Sequence, residues 1–176
     1  PKTFDTYLYM TSSLHIAIIG GGAAGFFAAI EAKRCNPDAD ITIFEKNNAM
    51  LAKVAITGGG RCNLTNSFAL ISDARQAYPR GHKLMKRLLK RFSHTDVYDW
   101  FEREGVPLVT QSDECVFPAS QDSQSIISCL TRLAVRLGVR QRCGHRLTDI
   151  SRNANSTLHL TFANGFEADF HRVAVT

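Results

Sequence analysis

Three glycines near the start of the chain have the spacing of a phosphate-binding turn. Gly20, Gly22 and Gly25 form a GxGxxG pattern between a short apolar run and an alanine-rich segment. In such a pattern the first glycine makes a tight turn, the second lets the backbone approach a diphosphate, and the third lets a helix pack closely on a strand. The diphosphate lies at the helix N-terminus, where unpaired N–H groups and the helix dipole favour an anion. The pattern therefore predicts a dinucleotide-binding turn.

A carboxylate follows at the distance that such a turn requires. Glu45 lies 20 residues after Gly25, at the end of a second apolar segment. A glutamate at this position accepts hydrogen bonds from the adenosine ribose hydroxyls and repels a 2′-phosphate. The alternative is a glycine-rich turn that serves helix packing alone. These residues do not separate FAD from NAD as the ligand.

The segments around these residues predict one βαβ unit. His15–Gly20 is a short apolar run ending in glycine, which is typical of a buried strand. Ala23–Arg34 is rich in alanine and stops near Pro37, as a helix does. Asp40–Phe44 alternates as a second strand. Because strand, turn, helix and strand follow within about thirty residues, we predict an α/β fold with a parallel, Rossmann-type sheet.

The rest of the chain predicts helices in its middle and strands near its end. Leucines at helical spacing predict an amphipathic helix over Lys83–Phe92, and Ser93 with Asp96 predicts the capped start of a second helix. Ser120 is predicted to cap a third, long helix, and Asn47–Asn66 is predicted to be an ordered loop. The predicted strands are Val106–Thr110, Cys115–Phe117, Val139–Cys143, Arg146–Ser151, Thr157–Phe162, Phe166–Phe170 and Val173–Val175. The fold class is therefore α/β with a β-rich extension.

A second glycine cluster carries a more specific resemblance. Lys53–Asn66 contains TGGGRCNLTN, which resembles the (S/T)-G-G-G-R-C-N-x-T-N signature of the BaiN-like flavoproteins, also called the aminoacetone-oxidase family. Val116–Ser120 and His171–Thr176 are similar to a turn and a strand of the same family. The sequence departs from the family at Cys115, where the family usually has arginine, and at Val175, which replaces an alanine. The resemblance covers residues 14–176.

This resemblance implies an FAD-dependent oxidoreductase of the two-dinucleotide-binding-domain flavoprotein type. Three successive glycines let backbone N–H groups reach a flat ring or a phosphate, and Arg61 would offset diphosphate charge. A mobile hinge is the alternative for this loop. Packing is favoured over a redox role for Cys62, because no other cysteine is near it in the sequence. The residues predicted to contact the cofactor are Gly20, Gly22, Ala23, Ala24, Gly25, Glu45, Lys46, Lys53, Thr57, Gly58, Gly59, Gly60, Arg61, Cys62 and Asn63.

Composition argues against several other classes of protein. The apolar share of 44% and charged share of 21% are those of a globular protein. No run reaches the roughly 18 apolar residues of a membrane helix. The five cysteines and six histidines lack disulfide-framework or zinc-ligand spacing, so we expect reduced thiols, no metal site and a cytoplasmic location.

The net charge of +5 comes from one segment. Six lysines and arginines lie within Arg80–Arg91, and without them 15 basic residues (21 minus 6) stand against 16 acidic ones. The segment lacks the interleaved aromatic residues of single-strand nucleic-acid binders. We therefore interpret it as a solvated helix face and do not expect nucleic-acid binding.

The sequence thus predicts an enzyme in which a bound flavin exchanges hydride or electrons with a small organic substrate. NAD(P)H is a candidate electron donor, although no second GxGxxG occurs. Two alternatives stay open: an NAD-dependent dehydrogenase and a non-enzymatic flavin-binding module. No acid–base pair or nucleophile stands out, so catalytic residues, substrate and oligomeric state are not predicted. We expect residues 1–13 to be an N-terminal extension, and residues 14–176 to be the N-terminal part of an incomplete FAD/NAD(P)-binding domain that continues beyond Thr176.

Overall fold

The computed structural model describes residues 13–176, which form two compact units. Unit 1 comprises the described residues up to Asn48 together with Leu137–Thr176, and unit 2 comprises Ala49–Arg136. The predicted extension over residues 1–13 lies, apart from Ser13, outside the described residues. Among the helices of the described range, none has the length and apolar character needed to cross a membrane.

Strands and helices alternate at the start of the described range, three successive helices lie in its middle, and its last five elements are strands. The strands are β1 (His15–Ile19), β2 (Asp40–Phe44), β3 (Thr65–Asn66), β4 (Leu108–Thr110), β5 (Cys115–Pro118), β6 (Arg140–Arg142), β7 (Leu147–Arg152), β8 (Leu158–Phe162), β9 (Glu167–Phe170) and β10 (Arg172–Val175). The helices are α1 (Ala23–Cys35), α2 (Ala52–Ile56), α3 (Ala74–Ala77), α4 (His82–Leu89), α5 (His94–Arg103) and α6 (Gln124–Arg136). Every strand predicted from the sequence is present, with bounds that differ by at most two residues.

Unit 1 is built on a parallel sheet with the strand order β10-β1-β2-β6. The predicted βαβ unit is confirmed as β1, α1 and β2. The apolar runs of β1 and β2 are buried because they pair on both sides and α1 packs on them. Burying each large aliphatic side chain contributes about 1.5–3 kcal/mol relative to exposure. The buried side chains of these three elements are Ala17, Ile18, Phe26, Ala29, Ile30, Ile41, Thr42, Ile43 and Phe44.

The strand order places the end of β1 at a switch point of the sheet. From β1 the chain moves to β2 on one side, and it later returns to β10 on the other side. In open parallel sheets, ligands bind outside the carboxyl ends of the strands at such a point. Gly20 directly follows β1, so the glycine turn lies at this edge.

An antiparallel sheet of β7, β8 and β9 completes unit 1 and packs on the end of β2. The ring of Phe44 lies 4.6 Å from that of Phe162 and 5.7 Å from that of Phe170, measured between centroids. Such aromatic pairs add about 0.5–1.5 kcal/mol beyond the area they bury. Because Phe44 immediately precedes Glu45, this cluster fixes the backbone that carries the glutamate.

Unit 2 combines an antiparallel sheet, β3-β5-β4, with five helices in its described residues. The capped start of α5 is confirmed: Oγ of Ser93 accepts from the N–H of Asp96, and Oδ2 of Asp96 accepts from the N–H of Ser93. The main buried side chains of the unit are Trp100, Phe101, Val106, Leu108, Val116, Phe117, Ile126, Cys129, Leu130, Leu133 and Ala134.

Two predictions for unit 2 were wrong in detail. Asn47–Asn66 is not only a loop, since it contains α2, a 3-10 turn at Thr57–Gly60 and the short strand β3. Ser120 does not cap α6, which begins four residues later at Gln124. There Oδ1 of Asp122 accepts from the N–H of Gln124 over 2.8 Å. Aspartate and serine are about equally favoured as capping residues, so residue type alone does not fix where α6 begins.

Candidate functional site

The glycine turn after β1 is tied to the end of β2 by two hydrogen bonds. The N–H of Gly20 donates to the carbonyl oxygen of Phe44, and the N–H of Gly21 donates to Oε2 of Glu45, each over 2.8 Å. Gly20 has a φ of +119°, which residues with a Cβ rarely adopt. The turn is therefore held in one conformation at the carboxyl edge of the sheet.

Two glycines of the turn differ in whether packing within the chain requires them. A Cβ on Gly25 would lie 1.9 Å from the carbonyl oxygen of Gly20, so this residue must lack a side chain for α1 to pack on the turn. A Cβ on Gly22 would meet nothing within 4 Å. Packing within the described chain thus accounts for Gly25, whereas it leaves open space at Gly22.

The N-terminus of α1 opens onto the same edge without a cap. Gly22 is the N-cap residue, no side chain among the described residues bonds there, and no acid occupies the first turn. Ala23 and Ala24 are exposed. The first N–H groups of a helix need partners from outside the helix, and the helix dipole favours an anionic one. A diphosphate fits this donor set and the space at Gly22.

Glu45 is oriented by backbone groups on several sides. Its Oε2 accepts from Gly21, and its Oε1 accepts from the N–H of Asn47 over 2.9 Å. Its own N–H donates to the carbonyl of Arg142, and its carbonyl accepts from the N–H of His145, each over 2.8 Å. An ionised carboxylate has about four acceptor positions, so two remain for hydroxyl donors. The side chain is partly exposed and held ready for such a ligand.

The glycine cluster of unit 2 adopts left-handed backbone conformations. Gly58, Gly59 and Gly60 have φ values of +55°, +68° and +86°, which glycine adopts without steric cost. A Cβ on Gly58 would also lie 2.8 Å from the backbone nitrogen of Asn63. A Cβ on Gly59 would meet nothing within 4 Å. Both the positive φ and the lack of space for a Cβ therefore explain the glycine at Gly58, whereas only the positive φ explains it at Gly59.

Arg61 is engaged inside unit 2. Its Nε donates to the carbonyl of Gly58 over 3.2 Å, and its Nη1 donates to Oε1 of Gln121 over 3.2 Å. Its guanidinium carbon lies 4.2 Å from the centre of the Phe117 ring, a cation–π contact. These three contacts stabilise the glycine loop, whatever else the side chain binds.

The predicted site residues fall into two groups, one in each unit. The first group is Gly20, Gly22, Ala23, Ala24, Gly25, Glu45 and the exposed Lys46; the second is Lys53, Thr57, Gly58, Gly59, Gly60, Arg61, Cys62 and Asn63. In the second group Lys53, Thr57 and Asn63 are exposed, and Oγ1 of Thr57 donates to the carbonyl of Val54. Over residues 13–176, no cluster of three or more histidine, cysteine or acidic residues is arranged for a metal.

Sequence reasoning missed the partners that hold these residues. Gly21 and Asn47 contact Glu45 through backbone N–H groups, which every residue except proline has. Gln121 lies 60 residues from Arg61, and no local pattern connects the two. Phe117 lies within Val116–Ser120, whose similarity to the family was the signal in the sequence that could have pointed to this residue.

Cys62 is buried, and its thiol is predicted to react slowly. The residue is only 6% exposed, and burial raises the pKa of its thiol, while a hydrogen bond with Thr57 lowers it to a smaller extent. Since the thiolate is the reactive form, iodoacetamide should alkylate the exposed Cys35 and Cys143 well before Cys62. Peptide mass spectrometry of timed samples measures the order. Early alkylation of Cys62, or loss of turnover in Cys62→Ala with cofactor still bound, would instead favour thiol chemistry.

Comparisons with known proteins agree with this description. The chain is 32% identical over 155 residues to a 3-dehydro-bile acid delta(4,6)-reductase of Clostridium scindens, covering 88% of this chain and 37% of that protein. It is 29% identical over 89 residues to a ribosomal RNA dihydrouridine synthase of Haemophilus influenzae, covering 51% of this chain and 21% of that protein. The chain thus spans well under half the length of either relative.

The fold is shared with solved structures. A 3-ketosteroid-delta4-(5alpha)-dehydrogenase of Rhodococcus jostii superposes with a TM-score of 0.64 over 99% of this chain and 48% of that chain, at 16% identity. The family model described as HI0933-like protein Rossmann domain matches residues 14–176. That match covers the same residues as the family resemblance found in the sequence. This chain therefore belongs to the HI0933-like Rossmann-domain family.

Proposed function

We propose that this chain provides the ADP-binding half of an FAD site in a flavin-dependent oxidoreductase. The observation that carries the proposal is the open space at Gly22 beside the uncapped N-terminus of α1. The residues present fit a dinucleotide, because the free N–H groups suit a diphosphate and Glu45 offers acceptors to ribose hydroxyls. The alternative of a packing turn alone explains Gly25 but not Gly22.

The chain's own residues would bind and orient the cofactor. The first turn of α1 would hold the diphosphate, and Glu45 would hold the ribose. The bound flavin would supply the hydride or electron transfer. From the family resemblance we further propose that the TGGGRCN residues contact the cofactor, with Arg61 keeping their loop in place through Phe117 and Gln121.

The cofactor is tested on the purified whole protein. We expect a yellow preparation that releases FAD on denaturation, identified by absorbance and mass. A colourless preparation that retains NAD would favour the dehydrogenase alternative. Flavin bleaching on anaerobic addition of NADH or NADPH would identify the proposed electron donor.

For the reaction, we propose reduction of a carbon–carbon double bond conjugated with a carbonyl group, with NADH or NADPH as the source of the two electrons. The names of the two relatives support this class. One relative is named as a delta(4,6)-reductase of a 3-dehydro bile acid, which carries a 3-oxo group. The other is named for forming dihydrouridine, in which a ring carbonyl remains next to the reduced bond. Anaerobic turnover with a 4,6-dien-3-one steroid tests the class, with the saturated 3-ketone as the inactive control.

A second candidate substrate is uridine within RNA. The basic residues of α4 favour it, since they are exposed and an RNA chain carries one negative charge per phosphate. Nucleoside mass spectrometry of RNA incubated with the reduced protein would detect dihydrouridine. Turnover of the steroid dienone alone would select the first candidate.

Glu45 is predicted to account for a large part of ADP affinity. Glu45→Gln removes the negative charge, and its NH₂ group would face one of the two backbone N–H groups that the carboxylate binds. The hydrogen bonds accepted by this side chain are charge-assisted and worth about 1.5–3 kcal/mol each, so the substitution weakens them. We expect ADP to bind roughly 10- to 100-fold more weakly to the variant, measured by calorimetry on the cofactor-depleted whole protein. Asp38→Asn, at an exposed carboxylate, is the matched control.

The same titration separates ribose binding from support of the glycine turn. If Glu45 contacts the ribose, 2′-deoxy-ADP binds the wild type more weakly than ADP does, and Glu45→Gln reduces this difference. If the variant binds ADP weakly but keeps the full difference, the carboxylate only holds the turn. Equal ADP affinity in wild type and variant would remove Glu45 from the site.

A further inference from the structure

The surface of α4 concentrates positive charge that the described chain does not neutralise. We define the α4 basic surface as Arg80, Lys83, Lys86, Arg87, Lys90 and Arg91, all of which are exposed. No acidic residue occurs between Asp73 and Asp96. Within residues 13–176, none of the six forms an ion pair or a side-chain hydrogen bond.

The helix arranges these charges in a continuous array. Lys83, Lys86, Arg87 and Lys90 follow the i, i+3, i+4, i+7 spacing that places residues on one face. From Lys83 to Lys90 the array extends about 10 Å along the axis, a length over which a nucleic-acid strand presents several phosphates.

This arrangement opposes the stability of the helix itself. Like charges three and four residues apart repel one another, and Lys83 lies in the first turn, where the helix dipole disfavours a cation. Gly81 precedes the helix without a side-chain cap. A solvated helix face selected for stability would carry acids among these bases, so the array indicates an anionic partner.

We propose that the α4 basic surface docks the phosphate backbone of RNA. The choice of RNA rests on the second candidate substrate above. The segment lacks interleaved aromatic residues for base stacking, so the surface contacts phosphates independently of sequence. Leu84 and Leu88, which are 52% and 50% exposed beside the array, are not needed for this contact.

The test removes three charges from the array and three from elsewhere. The variant is Lys83→Gln/Arg87→Gln/Lys90→Gln, and its control is Arg146→Gln/Arg152→Gln/Arg172→Gln, at exposed arginines of unit 1. Binding of a short fluorescein-labelled RNA stem–loop to the whole protein is followed by anisotropy across a range of KCl concentrations. At about 0.15 M salt we expect the first variant to lose on the order of 100-fold in affinity, with a salt slope smaller by about 2–3, and the control to keep both.

Three results would overturn the proposal. They are unchanged affinity in the first variant, an equal loss in the control, and a wild type that binds phosphatidylserine vesicles but not the RNA. Leu84→Gln/Leu88→Gln should retain RNA affinity; loss of RNA affinity in this variant would be a fourth result against the proposal, since it would indicate an apolar docking surface. RNA binding is measured without turnover, and flavin content is recorded for each variant. Failure of RNA docking is therefore distinguishable from failure of the cofactor site or of uridine reduction.

Discussion

Valine at position 22 is expected to abolish cofactor binding while the fold persists. Gly22 has φ −87° and ψ −174°, an extended conformation that valine adopts readily, and a Cβ there meets nothing within 4 Å. Neither the backbone nor the described packing therefore requires glycine. A branched side chain would instead occupy the space through which a ligand approaches the N-terminus of α1, where the proposed diphosphate lies.

The expected loss of FAD affinity is at least about 100-fold, equivalent to roughly 2.8 kcal/mol. FAD content of the purified whole protein and titration of the cofactor-depleted form measure it. Gly22→Ala should give an intermediate loss, because its smaller side chain fills less of the space. The unfolding midpoints of the cofactor-depleted forms should agree with that of the wild type. Undiminished FAD content in Gly22→Val would place the diphosphate elsewhere.

The βαβ unit could be predicted to within a residue because its signals are local. The apolar run of β1, the alanine-rich α1 and the alternation of β2 each act over a few residues. The start of α6 was less predictable, since Ser120 and Asp122 both suit a cap, and in the structure it is Asp122 whose side chain accepts from the N–H of Gln124. The short helix α2 was missed because five residues carry too little periodicity.

The contacts that hold the candidate site could not be predicted in the same way. Glu45 was found from its separation in sequence from the glycine turn. Its partners are backbone N–H groups, which residue type does not reveal because nearly every residue has one. The contact of Arg61 with Gln121 joins residues far apart in the chain. The exposure of Leu84 and Leu88 also depends on what packs nearby, whereas periodicity gives only their common face.

Alanine at position 25 is expected to destabilise the fold, although the same change normally stabilises a helix. Replacing an internal helical glycine by alanine usually gains about 1 kcal/mol. At Gly25 the new Cβ would lie 1.9 Å from the carbonyl oxygen of Gly20 and 3.2 Å from Oγ1 of Thr176. The first contact is with backbone, and Gly20 is itself tied to Phe44 by a hydrogen bond. The side chain of Thr176 can rotate, but the backbone carbonyl of Gly20 cannot move away, so α1 must shift relative to β1.

Overpacking of this kind typically costs 1–3 kcal/mol, and about 3 kcal/mol or more is expected here because two backbone segments must separate. Urea unfolding of the cofactor-depleted whole protein, followed by circular dichroism, measures the change. Gly22→Ala is the matched control three residues earlier, with the same chemical change and no atom to meet. The pair therefore assigns the two glycines separately: Gly25 should affect the free energy of unfolding without ligand, and Gly22 only the affinity for the cofactor. A Gly25→Ala protein as stable as the wild type would mean that α1 does not contact the turn as closely as described, and the packing explanation for this glycine would fail.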